Sequence, residues 1–315
     1  MSKVNLKKSG SPRVKKSKDT TNYQLFLLGL PGMLAVLIFH YLPMFGIIIA
    51  FKNYNPNKGI FGSAWNGLDN FQFFFTTPDA VRIIRNTVLY SIDYLFLGMV
   101  FSVLTAILFY NLTSRKALKV YNTIMILPSF VSMVLIAYIV YALLNPTMGL
   151  LNRALGLLGL PDHIDWYSTP EAWPFILTIM KIWNSVGMGS IIYYAALMGI
   201  DEGLFEAAEI DGATRFQQMW HIAVPHLSAV IAIQLILGFG GIFSGDFGLH
   251  YQLPRDVGIL YPTTDIINTY TFRGLKEGNM AVSAAVGLVQ SVMGVIMVVG
   301  VNMIVKKISP ENSMF

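Results

Sequence analysis

Apolar runs, with at most one charged residue each, alternate with polar connectors six times along the chain, over residues 23–51, 86–110, 120–144, 173–200, 227–243 and 280–305. A helix needs about 20 apolar residues to cross a hydrocarbon core of roughly 30 Å. Most of these runs reach that length, and none shows the strict alternation of a half-buried strand. In lipid, a spanning segment must satisfy its own backbone hydrogen bonds, which favours helices. The pattern therefore predicts an all-α polytopic membrane protein with six transmembrane helices. Pro31 and Pro43 predict kinks or ends in the first span, and Pro128 a bend in the third.

The connectors carry their own signals. Residues 52–85 contain Phe71-Gln72-Phe73-Phe74-Phe75, a cluster suited to the headgroup level of a bilayer. Residues 145–171 are rich in Gly and Pro and contain Trp166-Tyr167, and residues 244–279 form a third long connector. Composition agrees with the pattern: 54% of the chain is apolar and 12% charged, against about 45–50% and 25% in soluble domains.

The net charge of +5 is no nucleic-acid signal, because the basic residues gather in an N-terminal tail and beside the apolar runs. Residues 1–20 read as a basic cytosolic tail attracted to anionic lipid, with Lys3, Lys7, Lys8, Arg13, Lys15, Lys16 and Lys18 against one acid. Residues 21–315 read as the transmembrane domain. A signal peptide is the competing reading of the first run, which is too long for one and has a poor cleavage site in Phe39-His40-Tyr41. With the N-terminus inside, thirteen Lys/Arg lie in the cytosol and eight outside, with Lys181 inside a span. Both termini are then cytosolic. No internal repeat is evident, which weakens the inverted-repeat secondary carriers. Without cysteine there is no disulfide, thiolate metal site or thiol catalysis.

Between the fourth and fifth runs lies the most charged patch of the second half, residues 200–225. It reads as two short helices. Asp201 caps the first, with Glu202 near its positive end. Spacing puts Leu204, Ala207 and Ala208 on one face and Glu202, Glu206 and Glu209 on the other. Gly212 supplies a left-handed break, and Thr214 to Gln217 fits a capping box for a second helix with Phe216, Met219, Trp220 and Ala223 on its apolar side. Stacked acids repel one another, so the stripe gains from a cationic partner.

This stretch resembles the EAA loop of the membrane subunits of binding-protein-dependent ABC importers. The family pattern is Glu-Ala-Ala, three residues, Gly, nine residues, Ile, one residue, Leu-Pro. Here it stands as Glu206-Ala207-Ala208, Gly212, Ile222 and Val224-Pro225, with only Val224 departing. Gly67-Leu68-Asp69-Asn70-Phe71 and Asn86-Thr87 resemble the carbohydrate-uptake branch. The basic tail and Leu42-Pro43-Met44 resemble its oligosaccharide permeases from Gram-positive bacteria.

The resemblance implies a type I importer permease fold with a cytosolic coupling helix. It implies a second permease subunit, often a different protein, two ATPase subunits and an extracytoplasmic solute-binding protein. Glu206, Ala207, Ala208, Glu209, Asp211 and Gly212 are then the expected contacts to the ATPase. The chain has no phosphate-cradling G-x-x-x-x-G-K-[ST] motif. No cofactor is expected here, since ATP and Mg would be bound by the partner ATPase, and the chain would be a transport subunit, not an enzyme.

Polar groups inside spans are functional candidates. A sugar pathway needs amides for hydroxyls and flat rings for sugar faces, which selects Tyr138, Trp183, Asn184 and Gln234. The competing reading has amides bridging helices and aromatics filling subunit contacts. Asp93 and Lys181 could form an ion pair, and the glycines at 238, 240, 241, 245 and 248 could serve packing or a flexible gate. Residues 246–276 are a candidate contact for the binding protein. His40, His163, His221, His226 and His250 show no metal-ligand spacing, so no metal site is expected. The rival functions are an importer for phosphate, amino acids or peptides, an ion-driven carrier using Asp93, and a membrane-embedded enzyme.

Overall fold

A computed structural model describes residues 20–308. All but the last residue of the expected basic tail lies outside the described residues. The described chain divides into two units that meet at Ile48 and Ile49.

The first unit is helical throughout its described residues. Helix α1 (Thr20–Val36) contains Pro31 without ending there. A π-helical turn, Leu37–Tyr41, then precedes Pro43. The same arrangement recurs far along the chain, where a π-helical turn at Met219–Ala223 precedes Pro225. Proline has no N–H and its ring crowds the carbonyl four residues back. A wider turn relieves both without stopping the helix.

The second unit is built on α2 (Pro78–Tyr110), α3 (Arg115–Ile126), α4 (Met133–Leu144), α5 (Trp173–Leu197), α6 (Glu202–Ile210), α7 (Ser228–Gly240), α8 (Phe247–Gln252), α9 (Ile267–Lys276) and α10 (Met280–Ile308). Its β-structure, among the described residues, is one antiparallel ladder of Lys52–Asn53 with Ala64–Trp65. Four helical segments are long and apolar enough to cross a membrane, and six when each of two bent pairs counts as one span. The pair broken by 98° contains the expected third span, and the pair broken by 55° joins residues 215–226, expected in the loop, to the expected fifth span.

The third span is therefore an elbow more than a bend. Pro128 interrupts the ladder after α3, and the Ser132 hydroxyl restarts it by accepting from the Leu135 amide. At the elbow the Asn184 side chain donates to the Pro128 carbonyl at 2.8 Å. Helix α2 starts at Pro78, well before the apolar run at Asn86, because its first turns are polar and stabilised by an Asp79–Arg82 pair at 2.9 Å. The connector 244–279 folds into short helices, including α8 and α9.

Three buried clusters run along the bundle. Trp173, Leu177, Ile136, Leu249 and Leu260 form one; Phe74, Ile83, Ile242 and Val286 another; Ala106, Leu197, Met219, Ala223 and Leu227 the third. Close helix approach decides two glycines. A Cβ on Gly187 of α5 would overlap the Met125 carbonyl of α3, and one on Gly238 of α7 would overlap the Leu95 side chain of α2. Gly238 is a packing residue.

Candidate functional site

The loop between α5 and α7 is closed by local chemistry. The Asp201 carboxylate accepts from the Gly203 amide at 3.0 Å and caps α6. At the far end Gly212 has φ +81°. The Ala213 amide donates to the Ala208 carbonyl at 2.9 Å, and that of Gly212 to Glu209 at 3.0 Å. These two bonds are a Schellman motif, and the positive φ is why glycine stands there. Thr214 and Gln217 then form a reciprocal capping box, with Thr214 N–H to Oε1 at 2.8 Å and Gln217 N–H to Oγ1 at 3.3 Å.

Packing sets the rotation of α6. Phe205 is the anchor, packing into the third cluster with its ring 5.6 Å from that of Tyr110. Leu204 and Ala207 are exposed, and Ala208 is half-buried. Glu202, Glu206, Glu209 and Asp211 are exposed with them, as is Ile210. In the following segment Met219 and Ala223 are buried, but Phe216 and Trp220 remain exposed. Gln218, which the sequence reading passed over, is buried and donates to the Ala213 carbonyl at 3.2 Å.

At the opposite end of the bundle, α2 holds the connector 244–279 by a stripe at four-residue intervals. Arg82 reaches the buried Asp265 carboxylate at 3.2 Å, and Asn86 donates to the Asp265 carbonyl at 3.0 Å. Tyr90 donates to the Thr263 carbonyl at 2.7 Å, and Tyr94 contacts His250 Nε2 at 3.0 Å. Beside the stripe, the Thr87 hydroxyl accepts from the Ile267 amide at 3.0 Å. Asp265 also takes Arg273 at 2.6 Å and the Thr269 hydroxyl at 2.6 Å. Asn86, Tyr90 and Tyr94 are polar positions at four-residue spacing in an apolar run, but nothing in the sequence names their partners.

Lys181 does not pair with Asp93. Its ammonium lies 2.8 Å from Asp246, and Asp93 accepts from the Thr178 hydroxyl at 2.5 Å. Burial pushes the Asp246 carboxyl up, but Lys181 outweighs it and leaves the group below its ordinary value. His250 is buried and driven down to about 4, first by burial. Its Nδ1–H donates to the Thr264 carbonyl at 2.8 Å, so Nε2 is the acceptor for Tyr94.

Of the four pathway candidates, Tyr138 lines a described cavity. Asn184 is engaged by Pro128 and bridges helices. Trp183 is exposed and Gln234 half-buried, on α5 and α7. The Tyr138 cavity, of about 200 Å³, is also lined by Tyr251, Gln252, Arg255 and Asp256. The other three are not among its lining residues.

Helices long and apolar enough to cross a membrane, with a capped acidic helix at one end and a tethered connector at the other, make a polytopic membrane protein. The model for the inner membrane component of binding-protein-dependent transport systems matches residues 98–310. Protein LplB of Bacillus subtilis (strain 168) is 36% identical, over 91% of this chain and 90% of its own length. The polygalacturonan/rhamnogalacturonan transport system permease protein YteP of the same organism is 35% identical, over 91% and 89%. A chain in the crystal structure of a bacterial ABC transporter that imports the acidic polysaccharide alginate superposes with a TM-score of 0.83 at 31% identity. That match covers 92% of this chain and 98% of the other. The chain belongs to the family of binding-protein-dependent transport system inner membrane components. It is a multi-pass transport subunit with the ABC importer permease fold, and the ATPase is a separate partner.

Proposed function

We propose that the chain forms the translocation pathway of an ATP-driven oligosaccharide importer and is coupled to its ATPase through α6. The observation that carries the coupling role is the geometry of residues 201–214. A helix capped at both ends stands on Phe205 and presents Glu202, Glu206, Glu209 and Asp211 to solvent. Ala207 offers a small surface for close approach, and Gly212 fixes where the helix stops. Such a rigid acidic peg suits a basic cleft on the ATPase, which binds ATP and Mg. When the nucleotide dimer closes, the peg moves as a lever, and α5 and α7, which flank it in the chain, reorient. Similarity to YteP and to the alginate importer supports a glycan as cargo.

In this reading the chain sits in a plasma membrane of Gram-positive type with both termini cytosolic, beside a second permease subunit of different sequence. A solute-binding protein delivers the sugar to the end held by Arg82, Asn86, Tyr90 and Tyr94. Tyr138, Trp183 and Gln234 remain pathway candidates, whereas Asn184 is better explained by its bond to Pro128.

The test is reconstitution with the second permease, the ATPase and the binding protein, reading sugar-stimulated ATP hydrolysis and uptake. Stimulation by a glycan in the wild type, lost in Glu206→Ala with Glu209→Ala while ATP binding persists, is expected. Ion-driven uptake without ATP would sink the importer reading. Full assembly and uptake in the double variant would sink the coupling role.

A further inference from the structure

The turn that follows α8 is built in an unusual way. Arg255 and Asp256 are adjacent, neither is glycine, and both have positive φ, +58° and +55°. Each such residue costs about 1–2 kcal/mol relative to a right-handed conformation, and such strain concentrates at functional positions. The turn is clamped from beneath, where Leu253 and Pro254 are buried and the Val257 amide returns to the Pro254 carbonyl at 3.3 Å.

The two side chains meet different fates. Asp256 is occupied, taking Arg273 at 3.3 Å and the Tyr261 hydroxyl at 3.0 Å. Arg255 is exposed, and among the described residues it has no carboxylate within 4 Å. Its guanidinium carbon lies 4.2 Å from the centroid of the Tyr141 ring. Stacking of this kind fixes the plane of the group while leaving its N–H edge open. The cavity of about 200 Å³ beside it is walled by Tyr138 of α4 and Tyr251 of α8, with the Gln252 amide on its lining. Beyond Tyr251 a second cation, Lys276, lies 3.3 Å from the tyrosine hydroxyl, and it too has no ion-pair partner among the described residues.

We infer that this cavity is a subsite for an acidic sugar unit, with Arg255 receiving the carboxylate of a uronate residue. The chemistry is complementary at each point. A planar guanidinium matches a carboxylate in two parallel hydrogen bonds. The Tyr138 and Tyr251 rings offer apolar surface to a pyranose face, and the Gln252 amide can donate to or accept from hydroxyls. The volume holds about one sugar ring, so the site reads a single unit of an oligomer. Lys276 adds positive potential that draws an anionic chain toward the cavity. The assignment rests on the oligosaccharide-importer reading and narrows its cargo to uronate-bearing oligomers.

The experiment uses the complete transporter in proteoliposomes, with trigalacturonate and its fully methyl-esterified, uncharged counterpart as probes. Arg255→Asn removes the guanidinium while keeping a residue at ease with positive φ, and Arg255→Lys keeps the charge without the fork. Both variants are checked for assembly by co-purification and for an unchanged melting temperature. In Arg255→Asn, subsaturating uptake of the acid should fall about tenfold, the scale of a lost charge-assisted pair, and uptake of the ester less than twofold. Arg255→Lys should fall between wild type and Arg255→Asn.

Equal losses for both probes, or no loss for the acid, would overturn the subsite. A wild type that moves only uncharged glycans overturns the subsite and leaves the importer reading standing. A wild type that moves no glycan with ATP removes the importer reading itself. If Arg255→Asn fails to assemble, Arg255→Lys decides: it must still discriminate between acid and ester less than wild type does.

Discussion

The Tyr94 hydroxyl donates to Nε2 of His250 at 3.0 Å, joining two residues 156 positions apart, while Nδ1–H of the same ring donates to Thr264. The imidazole is thus held neutral between a spanning helix and the connector at one end of the bundle. Protonating it would set an N–H against a hydroxyl that is already donating.

Stability should therefore depend on pH in a defined window. The His250 pKa is lowered from 6.5 to about 4 in the folded state. The unfolded state binds the extra proton first, so the full contribution is present above about pH 6.5 and is lost as pH falls toward 4. The loss totals roughly 3 kcal/mol. Melting of the purified protein between pH 7 and 4 should show it, and the slope should flatten in His250→Gln. An unchanged slope in that variant would remove His250 as the cause.

Asp265 is fully buried and faces Arg82 and Arg273. Asp265→Ala leaves two guanidiniums without their shared counter-charge and should cost about 3–5 kcal/mol. The expected result is a lower melting temperature together with faster proteolysis of residues 253–276. Loss of transport with unchanged melting would instead give Asp265 a functional role.

Phe205 and Gly212 test the proposed coupling role of α6 from its two supports. Phe205→Ala removes the anchor of α6 and should cost about 2–3 kcal/mol, less than a fully buried phenylalanine because the ring is only partly covered. Gly212→Val forces a β-branched residue into positive φ and should cost more than Gly212→Asn, which tolerates it. The measurement is the fraction of ATPase that co-purifies, with wild type highest, Gly212→Asn intermediate and Gly212→Val lowest. Equal recovery across this series would show that helix stiffness is irrelevant to docking.

Gly238 can be tested by rescue. Gly238→Val drives a methyl group into Leu95 and should destabilise by about 1–3 kcal/mol. Adding Leu95→Ala opens the space and should recover part of the loss in melting temperature. A double variant no better than the sum of the singles would place the strain elsewhere.

Much of this was legible because its causes are local. The Asp201 cap, the left-handed Gly212 and the Thr214–Gln217 box are each satisfied within a few residues, so their spacing in the sequence announces them. Along α6, i, i+3 counting tells which residues share a face, not which face meets the bundle. Only the position of Tyr110, on another helix, made Phe205 the anchor. Lys181 misled for the same reason: Asp93 was the acid nearest in kind, an apolar run away, but Asp246 was nearest in space.

By itself the sequence determined the number and order of apolar runs, a break near Pro128, and the caps of α6. Solvent and backbone geometry dictate these without reference to distant residues. Tertiary structure decided the 98° elbow of the third span, the rotation of α6, the partners of the Arg82–Asn86–Tyr90–Tyr94 stripe and the open guanidinium of Arg255. Those depend on which helices touch. A polar group inside an apolar bundle bonds to whatever group packing brings within 3 Å, and nothing in its immediate sequence records which group that will be.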